Sequence, residues 1–393
     1  MKSYDWIVVG GGITGSLLAY HLVRQPSRVL WLEKDVSLRG ASRYSYGGFS
    51  YWAAKTPLQQ TLAQRSFDRY FELQDELPEN FRLRLLDLVM PILPGWDPQQ
   101  VLAMHADMRI PPQLIDVPSA CQLEPLLNPT AFDAALTVQH GHLHPGRLVK
   151  ALQAAFQALG GDVIIQPVTG FLGQPSISGV TTPTHTYSGS QVIVCAGGWS
   201  RQLVNQTGLS IPLYFTHAES IEIPPPPDLH LRALVNPIPL KRFDLEAESC
   251  RPEKIGLWAA AGHEAAPPIL DVGAVPFGEE GIRIGQVSRT LTDPEARVDP
   301  VSSEAAMRQG LRPYLPSLAD LPGQWYECLV AFTADQLPLV GSLQPGLSIF
   351  SGFSNPLATV PALAERFATH LTAGTVDRDP LLAPLSPSRF GKG

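Results

Sequence analysis

Gly10, Gly12 and Gly15 sit on the G-x-G-x-x-G spacing near the start of the chain, and Glu33 follows about twenty residues later. Each residue type has a part in holding a dinucleotide. The first glycine permits a tight turn, the second lets a pyrophosphate reach the backbone, and the third lets a helix lie close against a strand. Ile13 and Thr14 open that helix, whose free N–H groups and positive dipole end suit a phosphate anion. The carboxylate of Glu33, beside Lys34, is placed to accept hydrogen bonds from both hydroxyls of an adenosine ribose, and it disfavours a ribose bearing a 2′-phosphate. The spacing indicates a dinucleotide without separating FAD from NAD.

The flanking pattern supplies the elements that hold these residues. Residues 5–9 and 29–32 are apolar runs suited to parallel strands buried on both faces, and 16–23 carries Leu17, Leu18 and Leu22 at helical spacing. Residues 40–48 form a loop rich in glycine and hydroxyls with one arginine, the mix expected of backbone wrapping a phosphate or a ring. Helices are predicted over 58–77 and 147–159, the second closed by Gly160 and Gly161. Between 81 and 137 the pattern breaks into short strands, prolines and a short helix at 122–127, which marks a second unit. Strands at 163–165 and 191–195 return to the first unit, the latter running into Ala196, Gly197 and Gly198, where a ligand can approach the backbone. A second excursion runs from 212 to 323, and a last glycine turn at 352–356 leads into a closing helix.

A chain of 393 residues has room for two or three domains. Its net charge of -7, with no basic cluster, argues against a nucleic-acid surface. No run of about eighteen apolar residues is present and the N-terminus lacks a secretory pattern, so a soluble, cytoplasmic protein is expected. Cys121, Cys195, Cys250 and Cys328 form no C-x-x-C pair and read as reduced thiols. His140, His142 and His144 share one strand face and invite a metal reading, but no acidic partner is obvious and no metal is expected.

Taken in order, these landmarks resemble the FAD-dependent amine and amino-acid oxidoreductases of the D-amino-acid oxidase type, which include glycine oxidase and sarcosine oxidase. The landmarks are residues 8–15 with Glu33, 40–48, His144-Pro145, 194–200, 333–341, the turn from Gly352 and the tail at 387–390, so the resemblance spans nearly the whole chain. It implies an α/β fold with an α+β substrate part: a Rossmann-like FAD-binding domain (1–80, 146–205 and 325–393) interleaved with a mixed β-sheet substrate domain (81–145 and 206–324). It further implies that Ser42, Arg43, Ser45, Gly47 and Gly48 surround phosphate and isoalloxazine, that Val168 meets adenine through its backbone, and that Ala196, Gly197 and Trp199 line the cofactor. Gly352, Phe353, Ser354, Asn355, Pro356, Leu357, Ala358 and Thr359 would face the flavin's pyrimidine side, where a helix N-terminus stabilises negative charge on the reduced ring.

The chain departs from that family where substrate should bind. Amino-acid oxidases of this type clamp the substrate carboxylate with an Arg ahead of a T-x-D motif, and the matching residue here is Val330. Thr359 and Ser50 stand where the sarcosine-type subgroup places a Lys and an Arg. Cys328 matches the residue that attaches flavin covalently in sarcosine oxidase, or is a buried thiol that only packs. Arg283 matches the Lys near flavin N5 that assists oxygen reduction, or is a solvent-facing residue of an edge strand. His217 is a candidate base for the substrate amine, or a structural histidine. Arg242 and Lys241 offer an alternative anion site, while Tyr44, Tyr46 and Trp52 form an aromatic wall over the ring or belong to the core.

The resemblance thus implies oxidation of a C–N bond in an amine, N-alkyl amine or unusual amino acid by hydride transfer to flavin N5, with O2 as acceptor. The alternatives are a dehydrogenase that uses a quinone or another electron carrier, and a flavin-binding protein without turnover. No surface stretch singles out an oligomeric contact.

Overall fold

The computed structural model describes residues 3–391, which build two sheets joined by helices. The first sheet runs in the order Leu339–Gln344, Leu347–Ser351, Thr186–Val194, Ser3–Val9, Val29–Glu33, Asp162–Ile165. Its five strands from Leu347–Ser351 to Asp162–Ile165 are mutually parallel. Parallel strands are covered on both faces, which is why Ile7, Val8, Leu30, Val192 and Ile193 are fully buried and the strands read as unbroken apolar runs.

Helix Ile13–Val23 lies between this sheet and helix Pro356–Ala373, which also packs on helix Pro57–Glu76. Being covered all round, Ile13–Val23 has no polar stripe, and Leu17, Leu18 and Leu22 are each fully buried. Each such leucine contributes about 2 kcal/mol through apolar burial. Pro57–Glu76 starts on a capping box in which the Thr56 hydroxyl accepts from Gln59 N and the Gln59 side chain accepts from Thr56 N.

The second sheet is mostly antiparallel, in the order Gln324–Thr333, Leu213–Ile223, Ile282–Arg289, Ile269–Pro276, Leu234–Val235, Arg84–Pro91, Ala135–His142, Gly48–Phe49. Met307 and Leu311 of helix Pro300–Leu311 cover one of its faces together with Ile221, Ile284 and Val287.

Two sequence expectations shift against the structure. The short helix of the second unit is Val117–Leu123, because Asp116 caps its start through Ser119 N, and Glu124 ends it by accepting from Leu126, Arg232 and Ala233 N–H groups. Strand Gln324–Thr333 pairs with Leu213–Ile223, so its hydrogen bonds join it to the second sheet although it lies beyond the boundary expected at 325. A single strand read without its partner carries no mark of which sheet it will join.

Candidate active site

A cavity of about 750 Å³ runs from the first glycine turn to the second sheet. At the glycine end its wall is backbone. Gly10 has φ +113, and a Cβ there would sit 2.5 Å from the Cys195 carbonyl oxygen. A Cβ on Gly15 would sit 1.9 Å from the Gly10 carbonyl oxygen, so Gly15 serves helix–strand packing and does not itself line the cavity. Gly12 is the N-cap residue of helix Ile13–Val23 and supplies no side chain; the Ile13 N–H donates instead to the Ser42 hydroxyl at 2.9 Å. That serine comes from the loop at 40–48, whose tertiary partner was not visible in the sequence. The Glu33 carboxylate accepts from Gly11 N and, at 3.0 Å, from Asp35 N. Lys34 lies over the Trp199 ring at 5.5 Å, and both line the cavity with Thr14, Val168, Ala196 and Gly197.

The far end of the cavity is built from side chains. Ala218 and Ser220 reach it from Leu213–Ile223, Cys328 and Val330 from Gln324–Thr333, Asp271 from Ile269–Pro276, and Gln286 from Ile282–Arg289. Arg242 and Phe243 reach it from helix Arg242–Ser249, and Gly48, Ser45 and Tyr46 from the 40–48 loop. The Tyr46 hydroxyl is buried without a hydrogen-bond partner among the described residues, and burial holds its pKa well above the ordinary phenol value. Burial likewise pushes the Cys328 thiol up to about 12, so it stands as the neutral thiol at neutral pH.

The second glycine turn completes this end. Gly352, at φ +85, Phe353, Ser354, Asn355, Pro356 and Leu357 line the cavity, whereas Ala358 and Thr359 lie beyond it in the helix. The Ser354 carbonyl accepts from Arg242 Nη2 at 3.0 Å, and Asn355 Nδ2 donates to the Ser50 hydroxyl at 2.8 Å.

Several expected site residues face elsewhere. Arg43 forms a bidentate pair with Glu222 and lies over the Tyr44 and Tyr326 rings, outside the large cavity. Gly47 supports the loop from behind, since a Cβ there would meet the Leu143 carbonyl oxygen at 2.1 Å. Arg283 is neither solvent-facing nor on an edge: its strand lies inside the sheet and it is 5% exposed. It pairs with Glu222 at 2.8 Å, donates to the Ser45 carbonyl and lies over Phe277 at 4.2 Å, one layer behind the cavity wall in a smaller pocket shared with Arg43 and His144. His217 is 2% exposed and pairs with the Asp293 carbonyl at 3.0 Å, on the strand face opposite Ala218. Its burial lowers its pKa and keeps it neutral in the core.

Of the aromatic residues, Tyr44 and Tyr46 line the cavity, whereas Trp52 is buried and donates to His140 Nδ1 at 3.0 Å. No group of histidine, cysteine or acidic residues suited to a metal occurs among the described residues. His144 caps helix Pro145–Ala158 by accepting from Arg147 N at 3.1 Å.

The sequence reading missed Asp271, Asn236, Gln286 and Phe243, which belong to no motif. Arg242, flagged as an anion site, does reach the cavity, but Lys241 contributes only its backbone N–H, donated to Asp271 at 2.8 Å. Arg242 also pairs at 3.3 Å with Glu246, a fully buried carboxylate whose pKa is raised by burial. Separating such a pair costs on the order of 3–5 kcal/mol, because it leaves a buried charge alone.

A family model described as FAD dependent oxidoreductase matches residues 5–369. The chain belongs to this family. Among curated relatives, glycine oxidase of Pseudomonas putida is 28% identical over 53% of this chain and 59% of that protein. Monomeric sarcosine oxidase of Streptomyces avermitilis is 29% identical over 53% of this chain and 55% of that protein, so these matches span little more than half of each relative. Among solved structures, glycine oxidase from Geobacillus kaustophilus superposes with a TM-score of 0.80 at 20% identity, covering 99% of both chains. L-proline dehydrogenase from P. horikoshii superposes at 0.78 and 18% identity, covering 100% of this chain and 99% of that one. These likenesses establish the fold of this FAD-dependent oxidoreductase. The cavity fits the cofactor: the cradle at Gly10 excludes a side chain, helix Ile13–Val23 points its N-terminus there, and Glu33 closes the second strand.

Proposed function

We propose that the protein oxidises the C–N bond of an amine, N-alkyl amine or unusual amino acid, with O2 as the electron acceptor. The observation that carries this reading is one continuous cavity joining a dinucleotide cradle to a side-chain wall on the second sheet. The glycine, sarcosine and proline oxidoreductases among its relatives support the choice of donor. Bound FAD would supply the acceptor for a hydride from the carbon of the C–N bond and the route for its electrons to O2, with H2O2 as product.

The residues of this chain bind and orient. Gly10, Gly12, Ile13 and Thr14 would hold the pyrophosphate and Glu33 the ribose, while Val168 would meet adenine through its backbone. The turn at Gly352–Leu357 places a helix N-terminus where negative charge develops. The second sheet, including strand Gln324–Thr333, forms the substrate wall, and Tyr46 joins it with its hydroxyl buried beside Gly285. Cys328, a neutral thiol in the cavity wall, would leave the flavin unattached.

The test is anaerobic reduction of the purified yellow protein by a panel of amines and amino acids, followed by admission of air. Fast reoxidation with H2O2 supports an oxidase, and flavin released to the supernatant by acid supports non-covalent FAD. No reduction by any donor overturns the reading. Persistence of reduced flavin in air favours a dehydrogenase that uses another electron carrier. One observation speaks for that second reading: Arg283, the cation expected to assist O2, is held by Glu222 behind Ser45.

A further inference from the structure

Charge at the substrate end of the cavity is one-sided. Among the described lining residues the basic ones are Lys34, Arg39 and Arg242, and the first two belong to the glycine end beside Glu33 and Gly40. Arg242 is already engaged, by Glu246 at 3.3 Å and by the Ser354 carbonyl at 3.0 Å. A substrate carboxylate that claimed it would strand Glu246, which has 0% exposure. At the family's clamp position stands Val330, which has no group for an anion.

Asp271 is the opposite case. Its two carboxylate oxygens accept the backbone N–H groups of Lys241 at 2.8 Å and Arg242 at 3.0 Å, which fixes the carboxylate in one orientation at the start of helix Arg242–Ser249. Among the described residues no side-chain cation lies within ion-pair distance of it, and Asp271 lines the cavity. Burial raises its pKa, outweighing the lowering by the two N–H groups and by the nearby charges of Arg242 and Lys241. Tyr46, whose hydroxyl is buried beside Gly285, lines the same space together with Phe243, Leu240 and Val330.

We propose that Asp271 docks the cationic nitrogen of the substrate, and that the cavity selects amines without an α-carboxylate over amino acids. The proposal rests on the amine-oxidising reading above and narrows it. The ammonium ion supplies a directly paired cation, and the alkyl group meets the apolar wall where a carboxylate would lose its water without gaining a partner.

Two probes of the same shape and opposite charge test it. tert-Butylammonium and pivalate both lack a hydrogen on the carbon next to the charged group, so neither reduces the flavin, and binding is read from the visible flavin spectrum of the FAD-loaded enzyme at pH 8. tert-Butylammonium is expected to perturb the spectrum at concentrations at least tenfold below pivalate. Asp271→Asn should weaken that binding at least tenfold while keeping its flavin, and Asp271→Glu should recover part of it. Tighter binding of pivalate, binding of neither probe, or an unchanged affinity in flavin-loaded Asp271→Asn overturns the proposal. If the Asn variant does not fold, the comparison of the two probes on the unaltered enzyme decides alone. The broader reading fails differently: it falls only if no C–N donor of any charge reduces the flavin, whereas reduction by amino acids but not by amines removes this proposal and leaves that reading in place.

Discussion

At its glycine end the cavity is walled by backbone, with Gly10 and Gly15 leaving no room for a Cβ, whereas at its sheet end it is walled by the side chains of Tyr46, Arg242, Asp271 and Val330 from four separate segments. The first end is one local unit: strand, turn and helix are consecutive, and its contacts are fixed once those elements form. The second end exists only after strand Gln324–Thr333 has paired with Leu213–Ile223 and helix Arg242–Ser249 has been capped by Asp271. Binding a cofactor common to a family needs the first kind of wall. The second kind, on the reading proposed above, chooses the substrate, because single side chains there can change without disturbing the turn.

The largest effect that would break this contrast belongs to the glycine end. Gly15→Ala forces a Cβ to within 1.9 Å of the Gly10 carbonyl, and the variant is expected to purify without flavin and to lose about 3 kcal/mol or more of stability. Gly160, outside the cavity, has φ +92 but nothing within 4 Å of an added Cβ, so Gly160→Ala should cost only about 1 kcal/mol and keep its colour. Equal flavin loss in the two variants, read from the ratio of visible to ultraviolet absorbance, would sink the backbone account.

Acid should act next. His140, behind Gly48, is buried and neutral, its pKa pushed down from 6.5 to about 4 by desolvation. Below pH 6.5 the unfolded chain takes up a proton that the folded chain refuses until about pH 4, so stability falls as pH drops through that window. The linked loss reaches on the order of 3 kcal/mol. His21, in helix Ile13–Val23 and held down by burial, adds to the same trend. Melting temperature followed from pH 7 to pH 4 should show the decline, and His140→Gln, which keeps an acceptor for Trp52 Nε1, should flatten it; an unchanged slope would count against His140.

Two smaller effects sharpen the comparison. Val330→Arg places a guanidinium on the sheet wall, and carboxylate anions should then perturb the flavin spectrum at about tenfold lower concentration, a gain of about 1.4 kcal/mol. No gain would mean that the wall at 330 does not face substrate. Glu33→Gln removes the charge from a carboxylate at the glycine end and should weaken FAD by about tenfold, measured by titrating apoprotein with the cofactor. If Glu33→Gln outdid Gly15→Ala, side chains and not backbone would dominate that end.

The cofactor cradle was legible in the chain because its parts are neighbours in sequence and because only glycine satisfies its geometry; the strand–glycine–helix order at 5–23 and the carboxylate at Glu33 lie where the spacing put them. The turn at Gly352 was legible for the same reason, down to Leu357. The side chains of the substrate wall were not. His217 and Ala218 differ by one residue, and strand alternation sends one into the core and the other into the cavity, a choice set by register and not by residue type. Arg43 and Arg283 carry the right charge for a flavin site, yet Glu222, distant from Arg43 in the chain, turns both away. Asp271 lies in no motif and becomes a candidate only because two N–H groups from a separate helix aim it. Local geometry and the close-range exclusion of a Cβ are written residue by residue, so the sequence alone determined the nucleotide end. Which charges meet which depends on pairings across tens to hundreds of residues, so only the tertiary structure decided the sheet end.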